Sequence, residues 1–146
     1  MNILVSRCLL GEPCRYDGAS RPVEGLEQLE KAGHVLVPVC PEVLGGLSTP
    51  RPPAERQPDG RVLNRAGEDV TGAYALGAER AAGIALERGC KAALLKAKSP
   101  SCGSGAIYDG TFSGRLTRGW GVTAERLRAL GIPVLDEGAW RQLLDW

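Results

Sequence analysis

The chain opens on a short, mostly apolar run, Asn2-Ile3-Leu4-Val5-Ser6, whose aliphatic and β-branched residues predict a strand buried on both faces. A loop carrying Cys8 and Cys14 follows. Pro22 then suits the first turn of a helix, Leu26 and Leu29 share one of its faces, and Gly33 ends it. His34 to Val39 predicts a second strand. From Cys40 to Glu68 the periodicity disappears into prolines and glycines, with Pro58-Asp59-Gly60 marking the turn of a small hairpin. Asp69 is the expected N-cap of a helix that runs through Tyr74, Ala78, Ala81 and Ala85 to Gly89. Cys90 to Lys96 is the third strand. A second irregular stretch, Ala97 to Gly121, holds an Asp109-Gly110 turn flanked by Ile107, Tyr108 and Phe112, which predicts another hairpin. Thr123 to Leu130 reads as a helix capped by Gly131, Ile132 to Leu135 as the fourth strand, and Ala139 to Asp145 as a closing helix.

Strands alternating with helices predict an α/β fold, a three-layer domain with a parallel sheet joined by right-handed crossovers. The expected strand order is 2-1-3-4, flavodoxin- or Rossmann-like, with one domain over residues 1–146. Loops as long as Cys40–Glu68 and Ala97–Gly121 are expected to be functional.

Composition narrows the function classes. With 146 residues, 43% of them hydrophobic, the chain can build one sizeable core. No apolar stretch approaches the roughly 20 residues that cross a bilayer, and the start lacks a charged leader, so a soluble cytoplasmic protein is expected. Eighteen basic residues against 17 acidic ones leave a net charge of +1, too little for binding to long nucleic acid. Arg51, Arg56, Arg61 and Arg65 form either a local anion-binding patch or a solvated surface.

Five cysteines are too few and too scattered for a disulfide scaffold, which leaves reduced thiols or metal ligands. Cys8 follows strand one, Cys40 ends strand two, and Cys102 lies in the loop after strand three. All three therefore sit at carboxyl ends of strands, where open parallel sheets bind ligands, at the point where strand order reverses. Thiols gathered there can hold an iron-sulfur cluster, or can equally be small buried apolar groups. Cys14 could add a fourth thiolate, whereas Cys90 starts strand three at the opposite edge and reads as structural.

Around these thiols stand groups able to move protons. Cys40-Pro41-Glu42 puts a carboxyl two residues from a thiol, and Ser99 and Ser101 put hydroxyls beside Cys102. Glu42 could also be an ordinary exposed loop residue. Gly45, Gly46 and Gly103, with Ser101, would let backbone approach a ligand, or form plain turns. No dinucleotide or P-loop glycine motif, zincin helix or nucleophile elbow is present. His34, the only histidine, opens a strand and reads as structural. Trp120, Trp140 and Trp146 are assigned to core or lid packing.

Several segments carry a specific resemblance that spans nearly the whole chain. They are Val5-Ser6-Arg7-Cys8-Leu9-Leu10-Gly11, Cys14-Arg15-Tyr16-Asp17-Gly18, Cys40-Pro41-Glu42-Val43-Leu44-Gly45-Gly46-Leu47 and Thr49-Pro50-Arg51. Asp69-Val70-Thr71, Lys96, Ser99-Pro100-Ser101-Cys102-Gly103 and Ile107-Tyr108-Asp109-Gly110-Thr111-Phe112 complete the set. In these the chain resembles the thiouracil desulfidases. The resemblance implies a [4Fe-4S] cluster held at the positions of Cys8, Cys40 and Cys102, with one iron left open to take the substrate's sulfur. It also implies catalytic roles for Glu42 and Ser99, and 2-thiouracil or a related thiolated pyrimidine as substrate. Position 14 is not a required ligand in that pattern. The implied chemistry is attack of water on the sulfur-bearing carbon, with Glu42 taking or relaying a proton and Ser99 orienting ring or water, without net redox change. The alternatives are a zinc hydrolase built on the same cysteines, and a sulfur carrier or binder of thiolated RNA that uses the Arg51 to Arg65 patch.

Overall fold

A computed structural model describes residues 1–146 of the chain. Its central sheet contains β1 (Asn2–Ser6), β2 (Val35–Val39), β5 (Cys90–Leu95) and β8 (Val134–Asp136). They pair in parallel in the order β2-β1-β5-β8, which is the predicted 2-1-3-4 arrangement. Two separate antiparallel hairpins, β3 (Ala54–Arg56) with β4 (Val62–Asn64) and β6 (Ala106–Tyr108) with β7 (Leu116–Arg118), stand apart from it.

The alternation of side chains along the strands divides the core into two layers. Leu4, Ala93 and Leu95 face one side, where they meet Ala82, Ala85, Ala124 and Leu127 from α3 (Thr71–Glu87) and α4 (Val122–Ala129). Ile3, Val5, Ala92 and Leu94 face the other, against Leu9, Leu29, Trp140 and Leu143. Because Ile3, Leu4 and Val5 are fully buried, β1 sits at the heart of both layers.

Several local expectations are corrected. The first helix, α1, spans only Glu27–Lys31 and leaves Pro22 outside it. Gly25 explains the delay: its φ of +94° is left-handed, and a Cβ there would lie 3.0 Å from the Trp140 ring. Asp69 is not the N-cap of α3; Val70 holds that position, although the Asp69 carboxylate accepts from the Thr71 amide at 2.9 Å. The closing segment, Glu137–Asp145, is a 3-10 helix capped by Asp136. In the second hairpin the chain returns at Leu116 rather than Phe112, so Phe112 lies in the connecting loop. Trp140 is a core residue and Trp120 packs against the opposite layer, but Trp146 is exposed. His34 is buried, its Nδ1 3.2 Å from the chain's first amine. No helix is long and apolar enough to cross a membrane.

The first long loop contains a short helix, α2 (Pro41–Leu44), that four residues were too few to announce by periodicity. Its fit against α3 is unusually close. A Cβ on Gly45 would overlap the Ala73 carbonyl, and one on Gly77 would overlap the Pro41 carbonyl. Gly77→Ala should therefore force these helices apart and cost about 1–3 kcal/mol. Urea unfolding of the variant measures this, and an unchanged midpoint would contradict the packing role.

Candidate active site

Strand order places one cavity of about 490 Å³ at the carboxyl edge of β1, β2 and β5. Four of the five cysteines line it: Cys8, Cys14, Cys40 and Cys102. Cys90, at the start of β5, does not. Cys8 lies in the 3-10 turn Arg7–Leu10 that leaves β1, and Cys40 is the N-cap of α2 immediately after β2. Cys102 is brought in by a relay through Ser6, at the end of β1. The Ser6 hydroxyl donates to the Cys102 Sγ at 3.6 Å and accepts the Lys96 amide at 3.0 Å.

These thiols are close enough to influence one another's ionisation. Burial first, and then the neighbouring Cys40, push Cys8 up to about 11. Burial also pushes Cys102 up to about 12, with Glu42 and Cys8 adding to the effect. Neutral thiols near pH 7 thus wait for a cation that can displace their protons. Whether an iron-sulfur cluster suits them is decided by the donors themselves. All are soft sulfur, the only histidine is elsewhere, and the space they border exceeds that around a single ion. No three His, Cys, Asp or Glu side chains close on a single-ion position, which is the geometry the zinc alternative needs. The residues fit a cluster.

Glu42 stands in the first turn of α2 and lines the cavity. Its Oε2 accepts from the Tyr74 hydroxyl at 2.7 Å and from Arg51 Nε at 3.1 Å, while Oε1 has no protein partner. Tyr74 has its pKa raised by burial and by the Glu42 charge, so it stays a neutral donor. The Arg51 side chain is only 6% exposed. It also donates to the Cys14 carbonyl at 3.1 Å and to the Ser48 carbonyl at 3.0 Å, tying the loops that carry Cys14 and Ser48 to the carboxylate. Glu42 is therefore no free surface residue.

Ser99 also lines the cavity and accepts the Ser101 and Cys102 amides at 3.1 and 3.0 Å. With its oxygen so occupied, its own O–H is left to donate toward the cavity. Lys96 also lines the wall, its Nζ 3.0 Å from the Glu137 carboxylate. Of the seven cationic side chains that border the cavity, Arg7, Arg15, Arg51 and Lys96 are paired with Glu12, Asp17, Glu42 and Glu137, which leaves Arg21, Arg65 and Lys98 without a carboxylate partner.

The expected backbone contacts are placed differently. Gly45, Gly46, Ser101 and Gly103 do not line the cavity. Gly45 packs on α3, and Gly46 closes α2 with a φ of +92°. Ser101 turns its hydroxyl to Thr123 Oγ1 at 2.9 Å, and a Cβ on Gly103 would lie 2.6 Å from Ile107. They shape the wall from behind. The arginine stretch divides, with Arg51 and Arg65 lining the cavity and the other two outside it. Arg51 is in the wall, Arg56 pairs with Glu125, Arg61 with Asp59, and Arg65 covers the Phe112 ring. Residue-level reasoning missed Arg51 and Tyr74; Thr49-Pro50-Arg51 stood among the family-like segments, whereas Tyr74 looked like an ordinary core position on a helix.

Residues 3–139 match the family model described as 2-thiouracil desulfurase. The chain belongs to this family. Among its relatives is the uncharacterized protein YbbK of Bacillus subtilis, 43% identical over 151 residues, covering 97% of this chain and 99% of that one. A solved structure, the [4Fe-4S]-dependent thiouracil desulfidase TudS, is 49% identical and superposes with a TM-score of 0.91. The match covers 97% of this chain and 94% of that one. Both the resemblance read from the motifs and the three-layer fold are thereby borne out.

The raised thiols make a prediction for the cluster-free protein. Below their ordinary value of 9.0 the buried neutral thiols leave stability intact, and as pH climbs toward 11 the unfolded state ionises first. Thermal melts of apo protein from pH ~8 to ~11 should fall more steeply for wild type than for Cys8→Ser. Parallel slopes would contradict it.

Proposed function

We propose that this chain is a [4Fe-4S]-dependent desulfidase that converts 2-thiouracil, or a related thiolated pyrimidine, to the oxygenated base and sulfide. The observation that carries the reading is the meeting of Cys8, Cys40 and Cys102 on one cavity whose walls also bear Glu42 and Ser99. Family membership and the likeness to a [4Fe-4S]-dependent thiouracil desulfidase support it. Cys8, Cys40 and Cys102 hold the cluster. When bound, it supplies an iron with an open position, a Lewis acid that accepts sulfur.

The remaining chemistry belongs to this chain's own side chains, and the net reaction is hydrolytic. Water adds to the sulfur-bearing ring carbon, the C–S bond breaks, and a carbonyl forms without electrons entering or leaving. Glu42 Oε1 takes the water's proton. Tyr74 and Arg51 hold Oε2, so the carboxylate cannot rotate away and Oε1 is left for the water. Ser99 donates its O–H to a ring carbonyl or to the water, and the cationic wall favours the charge that builds on the ring. Unpaired thiols around such a cofactor suit a reducing cytoplasm.

Anaerobically reconstituted protein should release sulfide from 2-thiouracil over many turnovers. Glu42→Gln should keep its iron and sulfide content yet lose about 100-fold or more in kcat. Wild-type turnover in that variant would remove Glu42 from the mechanism, and absence of sulfide release from the reconstituted wild type would overturn the function.

A further inference from the structure

The aromatic residues of this chain are distributed unevenly. All three tyrosines and the only phenylalanine line the same cavity, so every phenyl-type ring in the protein faces the one site. Tyr74 serves Glu42, but the chemistry above gives no task to Phe112 or to the motif around it. Nor does it use Glu55, a carboxylate buried to 8% exposure on β3.

These unexplained features are one device. Glu55 Oε1 accepts the amides of Gly110 at 2.9 Å and Phe112 at 3.1 Å, gripping the loop between β6 and β7 by its backbone. Gln57, just past the end of β3, donates to the Gly110 carbonyl at 3.2 Å. Phe112 itself has a φ of 55°. Bulky residues seldom adopt that left-handed conformation, which glycine would take without strain. A phenylalanine held there by a buried carboxylate has its ring fixed in the cavity wall. One face of the ring lies under the Arg65 guanidinium, 6.0 Å from the centroid. The ring also lines the cavity, beside the space a planar ligand would fill.

We infer that Phe112 is the specificity-determining residue that stacks on the flat ring of the substrate, and that Glu55 is the positioning residue that presents it. The inference rests on the desulfidase reading and names how that site selects a planar heterocycle. Stacking of a base on an aromatic side chain is sequence-tolerant and energetically substantial, and a guanidinium behind the ring reinforces it. Recognition by a face also leaves the edges of the ring to Glu42 and Ser99.

The test uses the reconstituted holoenzyme with two readouts: steady-state sulfide release from 2-thiouracil, and calorimetric affinity for the product base, uracil. Phe112→Ala should raise KM and weaken uracil binding by roughly 5- to 100-fold, with a much smaller change in kcat and the same iron content. Phe112→Tyr should bind nearly as wild type. Phe112→Leu, which keeps apolar bulk without a flat face, should stay weak. Glu55→Ala should weaken uracil binding, and adding it to Phe112→Ala should bring little further loss, because both act through one ring. Wild-type uracil affinity in Phe112→Ala or Phe112→Leu would overturn the inference. A wild-type holoenzyme that releases no sulfide would instead overturn the desulfidase reading, and its uracil affinities would still decide the stacking role.

Discussion

Parallel pairing on both sides of β1 is the constraint from which the site follows. Ser6 pairs with Val39, so β1 and β2 end level with each other. The residues just beyond those ends include Cys8 and Cys40, delivered to the same rim although remote in the chain. β5 leaves at that rim too, and its exit loop is bonded back to β1 through Ser6, which contacts both Lys96 and Cys102. No local motif could have gathered these sulfurs. The sheet does it because parallel strands must all leave at one edge, with the returning chain carried over the faces.

The second level of organisation is helix packing. Gly45 and Gly77 let α2 and α3 approach until backbone meets backbone. That closeness sets Glu42 of α2 within hydrogen-bond reach of Tyr74 on α3. Arg51, arriving from the loop beyond, completes the grip on Oε2. A glycine expected to touch substrate thus acts one step removed, by allowing the approach on which the carboxylate's placement depends. Burial acts on the thiols in the opposite sense from charge on the wall. It raises the Cys8 and Cys102 thiols, whereas Lys96 and Arg15 pull Cys8 back down.

The strands and their order could be read from the residues because parallel strands are short apolar runs, plainest in the buried β1 and β5 and still legible in the half-exposed β2 and β8. Both hairpins were announced by Asp-Gly turns. The second was misjudged in length because Glu55, far along the chain, holds its loop open at Gly110 and Phe112. The meeting of Cys8, Cys40 and Cys102 at one rim followed from the strand order, whereas the roles expected of Glu42 and Ser99 came from the resemblance. Arg51 was not, since an arginine among prolines looks solvated until its partner is known, and that partner lies across a turn. Gly25, left-handed at φ +94°, delays α1, and any side chain there would meet Trp140, more than a hundred positions later. Such errors share a cause: pairwise contacts between distant residues leave no periodic trace.

Cluster content in single cysteine variants tests the convergence of thiols most directly. After anaerobic reconstitution, wild type, Cys14→Ser and Cys90→Ser should each hold about four irons and about four acid-labile sulfides per chain. Cys8→Ser, Cys40→Ser and Cys102→Ser should each lose most of both. Full iron and sulfide in any of those last variants, or equal loss on replacing Cys90, would contradict the site.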